Sequence, residues 1–410
     1  MTAIRIAGEA PLHQRLARMA ADAQYDVADE RGSDLRCIPD PGALTANGAR
    51  IFRTGSVPKV FLSNDCRFNC AYCGCRCSNE RRHRYSHEPR EMAEMAVSEA
   101  VKNGHGIFVT SAICRNADYT EERIVATLQY MREELHYPGF IHAKVMPGTD
   151  PALIEQAGRY ANRLSVNIEV ARASGYERIA KQKNRDNILT PMRQISALIR
   201  RKKAEAGRSR SPFATSQTTQ LMPGSTQEDD RTILTLSEAL YRTYRLSRVY
   251  YSPFQYRHPA KGYDLDPVST PSWRTRRLYQ ADRLLQLYGF TPEEIVPASA
   301  PLLEEELDPK LSWAMRNIHL FPVEVNSADY DTLLRIPGIG IVYAKKILRA
   351  RRYCTITHDV LRKIGVSLKR SVYFITCNGK YEGGAATDRP DSLRRLLATP
   401  STPVYEQLSF

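Results

Sequence analysis

The chain has 410 residues, of which 42% are hydrophobic, so a wholly disordered protein is excluded and the length favours two to three domains. Fifty-nine Lys and Arg residues against 45 Asp and Glu residues give a net charge of +14, which favours a polyanionic partner or an acidic membrane surface. No apolar run approaches the roughly 18 to 20 residues of a membrane-spanning helix, and the N-terminus lacks an apolar stretch of signal-peptide length. We therefore expect a cytoplasmic protein without a membrane segment.

Residues 1–50 read as an N-terminal extension. From there to residue 257, short apolar runs alternate with amphipathic stretches. The strand candidates are Val60–Ser63, Gly106–Thr110, Ile141–Met146, Arg163–Val170, Thr219–Met222 and Arg248–Ser252. Strands that alternate with helices predict a mostly parallel sheet with helices outside it, joined by right-handed crossovers. Six repeats fit an open doubly wound sheet or a partial (β/α) barrel, and in both folds the chemistry lies where strands end.

The strand pattern stops near residue 257, which predicts a change of domain there. Residues 258–319 read as a helical connector, residues 320–377 as a compact C-terminal domain, and residues 378–410 as a polar tail.

Five of the nine cysteines lie between residues 66 and 77, directly after the first strand candidate. Cys66, Cys70 and Cys73 have the spacing C-x3-C-x2-C, which suits three thiolates on one loop around a cubic iron–sulfur cluster. Electron-transfer clusters ordinarily take four protein thiolates, so three leave one iron open to a substrate or cofactor. Tyr72 would place an aromatic ring beside that iron.

Zinc is the alternative metal, because Cys70 and Cys73 also have zinc-like spacing and Cys75 and Cys77 offer two more thiols. Zinc ribbons usually pair two separated C-x2-C knuckles, and this sequence has no second one. The roles of Cys75 and Cys77 stay open: they are spare thiols, or ligands that alter the register of the cluster.

The motif C-x3-C-x-aromatic-C after the first strand of an α/β repeat resembles the radical S-adenosylmethionine (SAM) superfamily. The resemblance implies that Cys66, Cys70 and Cys73 hold a [4Fe–4S] cluster and that SAM chelates the fourth iron. It further implies that one electron cleaves SAM to methionine and a 5′-deoxyadenosyl radical, which abstracts hydrogen from a substrate.

Polar residues near the ends of later strands are candidates for the SAM pocket. Ser165, Asn167 and Glu169 alternate along the fourth strand candidate and should share one face, where buried polar groups need partners such as ribose hydroxyls. The further candidates are Ser111, Gln220 and Tyr251. Each residue alone is equally consistent with a structural polar group, and only their placement on successive strands favours a pocket.

Residues 332–347 read TLLRIPGIGIVYAKKI and predict two short helices joined by a tight hairpin. Gly338 and Gly340 permit positive φ and leave backbone N–H groups exposed for a phosphate oxygen, with Lys345 and Lys346 one turn further. The pattern resembles the helix-hairpin-helix motif of DNA repair and recombination proteins. The alternative is a purely structural helical hairpin.

A weaker copy of this pattern follows in HDVLRKIGVSLKRSVYFI, with Gly365 at the hairpin position. From Arg335 to Arg370 there are ten basic residues and one acidic residue, a local net charge of +9. Most of the surplus charge of the chain therefore coincides with the phosphate-binding motif. Such contacts give salt-sensitive affinity for nucleic acid without sequence choice.

From about residue 17 to 377 the chain resembles a radical SAM family described as DNA modification or repair proteins. The matching segments are DCRFNCAYC, YANRLSVNIE (160–169), TTQL (218–221), RVYYS (248–252), RLYQAD (277–282) and PGIG (337–340). The resemblance implies an α/β fold, a partial (β/α)6 radical SAM-type barrel followed by a small all-α helix-hairpin-helix domain, and a DNA substrate. It also implies a uracil-DNA-glycosylase-like protein as a partner. The sequence departs from the family at 74–77 and 110–116.

The last four residues, QLSF at 407–410, resemble a shortened bacterial sliding-clamp-binding motif and make the clamp a further candidate partner. Two alternatives to a DNA-modifying enzyme remain: an RNA-modifying radical SAM enzyme and a non-catalytic iron–sulfur protein that binds DNA. A radical that attacks a duplex would need a damaged, single-stranded or flipped nucleotide.

Overall fold

The computed structural model describes residues 53–54, 57–80, 83–103, 106–209, 211–256, 261–265, 269–384 and 390–398. The chain divides into two compact units. The first unit runs to Glu228 and includes Ala239–Pro271, and the second comprises Asp229–Glu238 and the chain from Ser272 onwards. The predicted N-terminal extension and the clamp-like motif at 407–410 lie outside the described residues. The predicted domain boundaries remain predictions.

The first unit is built on one sheet whose strands follow each other in chain order. The strands are β1 (Arg53–Thr54), β2 (Val57–Phe61), β3 (Ile107–Thr110), β4 (Ile141–Lys144), β5 (Arg163–Ser165), β6 (Ser216–Leu221) and β7 (Arg248–Tyr251). Strand β1 is antiparallel to β2, and β2 to β7 form a parallel ladder. The six predicted strands are confirmed. Because their order lacks the reversal of a doubly wound sheet, the topology is that of a partial barrel.

Helices connect the parallel strands. They are α1 (Pro89–Asn103), α2 (Ala117–Glu133), α3 (Pro151–Tyr160), α4 (Gly175–Ile179), α5 (Arg185–Ala206) and α6 (Asp230–Tyr244). Helix α2 shows why these segments are helical: Asn116 caps its first turn by accepting a hydrogen bond from Tyr119 N, and Ile124, Leu128 and Met131 are buried along one face. The helices thus bury their apolar stripes, and the ends of the parallel strands are left to form the functional site.

Strand β5 is shorter than the sequence predicts. The predicted strand Arg163–Val170 leaves the ladder after Ser165 and rejoins β6 at a single bridge between Glu169 and Leu221. Glu169 has a φ of +63°, which an extended strand does not accommodate. Alternation of polar and apolar residues continues past the end of the ladder, so the pattern alone did not reveal where the strand stops.

The second unit is predominantly helical but is not the all-α domain that the sequence predicts. The first part of α6 belongs to this unit. Its other helices are α7 (Ser272–Leu287), α8 (Pro292–Ile295), α9 (Pro309–Arg316), α10 (Tyr330–Arg335), α11 (Ile341–Ala350), α12 (His358–Lys363), α13 (Leu368–Ser371) and α14 (Pro390–Leu397). A small sheet joins β8 (Val323–Glu324), β9 (Ile375–Cys377) and β10 (Lys380–Tyr381). Strands of two or three residues are too short to show alternation, and β8 and β9 are far apart in the chain.

The predicted polar tail also contains ordered structure. Helix α14 begins at Pro390 and buries Leu393 and Leu397. Within the described part of the chain, no helix combines the length and the apolar character needed to cross a bilayer.

Candidate functional site

A cavity in the first unit, beside the ends of the parallel strands, contains most of the predicted site residues. Cys66, Cys70 and Cys73 all line it, together with Tyr72 from the same loop. The predicted SAM-binding residues that also line it are Ser111, Asn167, Glu169 and Gln220. Ser165 and Tyr251 are buried but are not among the described residues that line this cavity. Ser165 still belongs to the ladder of β5, whereas Asn167 and Glu169 follow its end.

Backbone hydrogen bonds fix the cysteine loop to the rest of the unit. Arg67 N donates to Ile113 O at 2.8 Å, and Ala71 N donates to Ile179 O at 2.8 Å. Within the loop, Phe68 N donates to the sulfur of Cys66 at 3.3 Å. Donors of this kind stabilise a thiolate, which is the form that binds iron.

Arg84 holds the turn that follows the third cysteine. Its guanidinium donates four hydrogen bonds to backbone carbonyl groups of this region. The acceptors and distances are Asn64 O at 2.6 Å, Cys75 O at 2.8 Å, Arg76 O at 2.7 Å and Asn79 O at 3.3 Å. One side chain therefore fixes the backbone of the turn at several points.

Burial makes the free thiols weak acids. It raises the pKa of Cys66 to about 11 and the pKa of Cys70 to about 12, because the charged thiolate loses hydration. At neutral pH these thiols carry their protons, so an iron–sulfur cluster would release protons as it binds.

Lys183, which the sequence analysis missed, also lines the cavity. Its Nζ lies 2.7 Å from Glu169 Oε1 and donates to Tyr72 Oη at 3.1 Å. Burial alone would lower the pKa of Lys183, but the charge of Glu169 and the hydrogen bond to it raise that pKa above its ordinary value. Lys183 lies in a polar stretch between α4 and α5, and nothing in that stretch indicates that the fold brings it to the cysteine loop.

Only one of the two carboxylate oxygens of Glu169 is satisfied. Oε1 binds Lys183, whereas Oε2 is buried and has no hydrogen-bond partner among the described residues. A buried acceptor without a partner is unfavourable unless a ligand supplies a donor. A cavity that joins three thiols to this carboxylate fits a [4Fe–4S] cluster together with a ligand that carries hydroxyl groups.

A single zinc ion finds no preformed site in the described residues. No group of three or more His, Cys, Asp or Glu side chains in them is arranged to hold one metal ion. Zinc requires its sulfur ligands about 2.3 Å from one common centre.

The second unit contains the predicted hairpin in the form of α10, the turn Pro337–Gly340, and α11. Helices α12 and α13 flank Gly365 in the second copy. Gly338 has a φ of +88° and Gly365 a φ of +91°, the left-handed conformation that favours glycine. The weak second copy of the pattern therefore has the same backbone conformation at its glycine as the first.

The two hairpins pack reciprocally. A Cβ atom on Gly338 would lie 3.3 Å from Ser371 N, at the end of α13. A Cβ atom on Gly365 would lie 3.6 Å from the ring of Tyr343 in α11. The glycine of each hairpin thus faces the second helix of the other.

The first helix of each hairpin has a side-chain cap and the second has none. Asp329 accepts from Thr332 N at the start of α10, and Thr357 accepts from Val360 N at the start of α12. Neither Gly340, the N-cap of α11, nor Ser367, the N-cap of α13, makes a side-chain cap hydrogen bond. The helices that follow the hairpin glycines therefore receive no hydrogen bond from the side chain of their own N-cap residue.

The basic residues of this module fall into two groups. Arg335 binds Glu294 at 2.5 Å, Arg370 binds Asp308 at 2.6 Å, and Arg351 donates to backbone carbonyl groups, so these three stabilise the unit. The exposed basic residues are Lys345, Lys346, Arg349, Arg352, Arg362, Lys363 and Lys369. Of these, Lys346 donates to Ile364 O and Arg362 binds Asp359. The other five, Lys345, Arg349, Arg352, Lys363 and Lys369, place positive charge at the surface.

Comparisons with known proteins gave matches only among solved structures, since no family model and no curated protein matches the chain. The [FeFe]-hydrogenase maturase HydG from Carboxydothermus hydrogenoformans is similar over 56% of this chain and 51% of its own, with 13% identity and a TM-score of 0.42. A second HydG crystal structure is similar over 55% and 48%, with 18% identity and a TM-score of 0.41.

The third structure is the radical SAM methyltransferase TsrM from Kitasatospora setae, which has cobalamin and a [4Fe–4S] cluster bound. It is similar over 50% of this chain and 41% of its own, with 11% identity and a TM-score of 0.35. The chain thus spans about half the length of each of these proteins.

Proposed function

We propose that this chain is a radical SAM enzyme in which Cys66, Cys70 and Cys73 hold a [4Fe–4S] cluster. The main observation in support is that these three thiols, all from one loop, line the same cavity as Glu169, whose buried Oε2 lacks a hydrogen-bond partner among the described residues. A three-thiol set leaves one iron for the amino and carboxylate groups of SAM. Together the cluster and SAM supply one-electron cleavage of the sulfonium and hydrogen abstraction from a substrate.

The side chains around the cluster bind and orient SAM. Glu169 would accept hydrogen bonds from its ribose hydroxyls, and Lys183, which donates to both Glu169 Oε1 and Tyr72 Oη, holds that carboxylate in place. Asn167, Gln220 and Ser111 offer further polar contacts from neighbouring strands. Phe61, Phe68 and Met146 line the same cavity and exclude water from the reacting atoms.

The test is anaerobic reconstitution with iron and sulfide, followed by dithionite and SAM. We expect 5′-deoxyadenosine from the native protein and none from Cys70→Ala, which also loses the absorbance of the cluster. Cys77→Ser is the matched control, because Cys77 is on the same loop but exposed, and it should keep both. Equal yields from Cys70→Ala and the native protein would refute the ligand assignment.

We further propose that the substrate is a nucleotide in DNA and that the hairpin module of the second unit binds its backbone. Two features support this: paired glycine hairpins whose second helices lack side-chain caps, and exposed basic residues beside them. Association with a uracil-DNA-glycosylase-like protein, and with a sliding clamp through residues 407–410, belongs to the same proposal and rests on the sequence resemblance.

Competition binding separates this proposal from an RNA substrate. Unlabelled DNA and RNA of matched length and sequence should compete differently for a labelled duplex, with DNA the stronger competitor. Stronger competition by RNA would favour RNA modification. DNA affinity that depends on the cluster, in a protein that never forms 5′-deoxyadenosine, would instead favour a non-catalytic iron–sulfur protein.

A further inference from the structure

A buried lysine of the second unit, Lys310, lies against the turn of the first hairpin. It is the second residue of α9, and only 9% of its surface is exposed. Its Nζ donates a hydrogen bond to Ile339 O at 2.5 Å and lies 5.0 Å from the centre of the Tyr288 ring. A lysine is rarely buried to this degree without a specific partner, so the contact with the hairpin calls for an explanation.

The hydrogen bond to Ile339 O fixes the direction of one peptide group in the turn. Ile339 is buried, Gly340 is half-buried, and the peptide bond between them is trans. In a trans peptide, the C=O and N–H groups point in opposite directions. Because Lys310 holds the carbonyl oxygen, the N–H of Gly340 points away from Lys310 at the start of α11.

Within the described part of the chain, no ion pair neutralises the charge of Lys310. The two charged groups that act on it have partners of their own: Asp308 pairs with Arg370 at 2.6 Å, and Arg335 pairs with Glu294 at 2.5 Å. A buried ammonium that is bonded to a carbonyl oxygen and a ring face, without a paired carboxylate, is unfavourable. Burial accordingly lowers the pKa of Lys310 to about 7.

We propose that Lys310 is a positioning residue for a phosphate at the first hairpin, and that the bound phosphate and the protonated lysine stabilise each other. The ammonium holds the peptide between Ile339 and Gly340 in place, and its charge adds to the partial positive charge at the N-terminus of α11. A phosphate supplies the negative charge that Lys310 lacks. The inference rests on the proposed function, in which this hairpin binds the DNA backbone.

The proposal has a thermodynamic consequence. A phosphate that favours the charged form of Lys310 raises its pKa, so DNA binding takes up a proton wherever the free protein holds Lys310 partly neutral. Affinity should therefore decrease as pH rises above about 7. A lysine that only stabilises the fold would give no such link between its proton and the ligand.

The experiment measures the affinity of the full chain for a labelled DNA duplex by fluorescence anisotropy, from pH 7 to pH 9 at constant ionic strength. This window lies above the ordinary pKa of histidine and below that of lysine, and the thiols and N-terminal amine that titrate in it are common to all variants. We expect the affinity of the native protein to fall about 5- to 25-fold across the window.

Lys310→Met removes the charge and the donor. It should bind DNA more weakly than the native protein at pH 7 and should lose the decrease with pH. Lys380→Met is the matched control, because Lys380 is an exposed lysine of the same unit that pairs with Glu382 at 3.2 Å. It should retain the pH dependence of the native protein.

Calorimetry of the native protein provides a measurement that requires no variant. Titration with the duplex at pH 8, in two buffers of different ionisation enthalpy, reports the protons taken up on binding. We expect an uptake approaching about one proton for each hairpin occupied.

Native affinity that is equal at pH 7 and pH 9, or calorimetry without proton uptake, overturns the inference. An equal decrease with pH in Lys310→Met overturns it too, because another group would then be responsible. If the native protein binds no DNA even at low salt, the proposed substrate fails and the inference fails with it. DNA binding that is sensitive to salt but independent of pH contradicts only the role of Lys310.

Discussion

At the scale of single residues, Glu169 connects an unusual backbone conformation to the electrostatics of the cavity. Its N–H donates to Gln220 O at 2.7 Å and its carbonyl accepts from Met222 N at 2.8 Å, which fixes the backbone at positive φ. Alternation in the sequence predicted that Glu169 faces a pocket. It did not predict the partner, Lys183, because the two are brought together by the path of the chain between α4 and α5 and by no local pattern.

We predict that Glu169→Gln weakens SAM binding about 10- to 100-fold, the usual contribution of a charge-assisted hydrogen bond. Gln retains the size of the side chain but loses the charge that pairs with Lys183 and accepts from a ribose. Equilibrium dialysis with labelled SAM on the reconstituted protein measures the effect.

Ser165→Ala provides the control, because Ser165 is buried on the same segment but does not line the cavity among the described residues. It should leave the Kd for SAM unchanged. If Ser165→Ala weakened binding as much as Glu169→Gln, the assignment of cavity residues would be wrong.

At the scale of elements, a buried carboxylate on α2 holds the connection that follows β4. Glu121 Oε2 accepts a hydrogen bond from Met146 N at 2.9 Å, and Oε1 has no partner among the described residues. Burial raises the pKa of Glu121 from 4.5 to about 8. Because Met146 lines the cavity, this contact links the outer helix to the wall of the site.

The raised pKa predicts how stability changes with pH. The folded protein holds the Glu121 proton more tightly than the unfolded chain, so this contribution is complete below pH 4.5 and is lost as pH rises through about 8. In urea denaturation of the native protein, the free energy of unfolding should therefore fall between pH 5 and pH 8, by an amount on the order of a few kcal/mol.

Glu121→Gln removes the titration and keeps the shape of the side chain. The part of the pH-dependent fall that Glu121 causes should be absent from this variant. If the variant lost stability between pH 5 and pH 8 as steeply as the native protein, another group would be responsible.

The close packing of the two hairpins predicts the effect of a glycine substitution on stability. Gly338→Ala places a Cβ at positive φ and about 3.3 Å from Ser371 N, so it should destabilise the second unit by about 1 to 3 kcal/mol. Gly379→Ala is the control, because Gly379 also has positive φ (+73°) but has open space around its Cβ position. Thermal unfolding should show a greater loss for Gly338→Ala, and equal losses would contradict the close packing of the hairpins.

At the scale of the whole molecule, the sequence predicted the six parallel strands because each is a short apolar run between amphipathic stretches. Their ends were less certain, as β5 shows, since hydrogen bonding and not side-chain polarity ends a strand. The small sheet of the second unit was missed because β8 and β9 are short and pair across the intervening hairpins. Long, periodic elements were thus predictable, and pairings between distant short segments were not.

The distribution of charge along the chain predicts how its affinity for DNA depends on salt. If exposed lysines of the hairpin module bind phosphates, DNA affinity should fall steeply with added salt. Replacing Lys345 and Lys369 with Gln should make the plot of log K against log salt shallower by about 0.9 for each phosphate that the variant no longer neutralises. Lys102→Gln is the control, because Lys102 is exposed on α1 of the first unit. Fluorescence anisotropy measures the slopes, and an unchanged slope in the double variant would contradict the assignment.

The four carbonyl groups bound by Arg84 have a consequence for how the site matures. Because Arg84 already binds the backbone carbonyl groups of Cys75, Arg76 and Asn79, the turn needs little rearrangement when iron and sulfide bind. Amide hydrogen exchange at residues 75–79 should therefore be slow in the apoprotein and nearly unchanged after the cluster is loaded. In the Arg84→Ala variant, the same amides should exchange rapidly until the cluster binds and orders the turn. Assembly would then be limited by delivery of the inorganic ions rather than by folding of the loop.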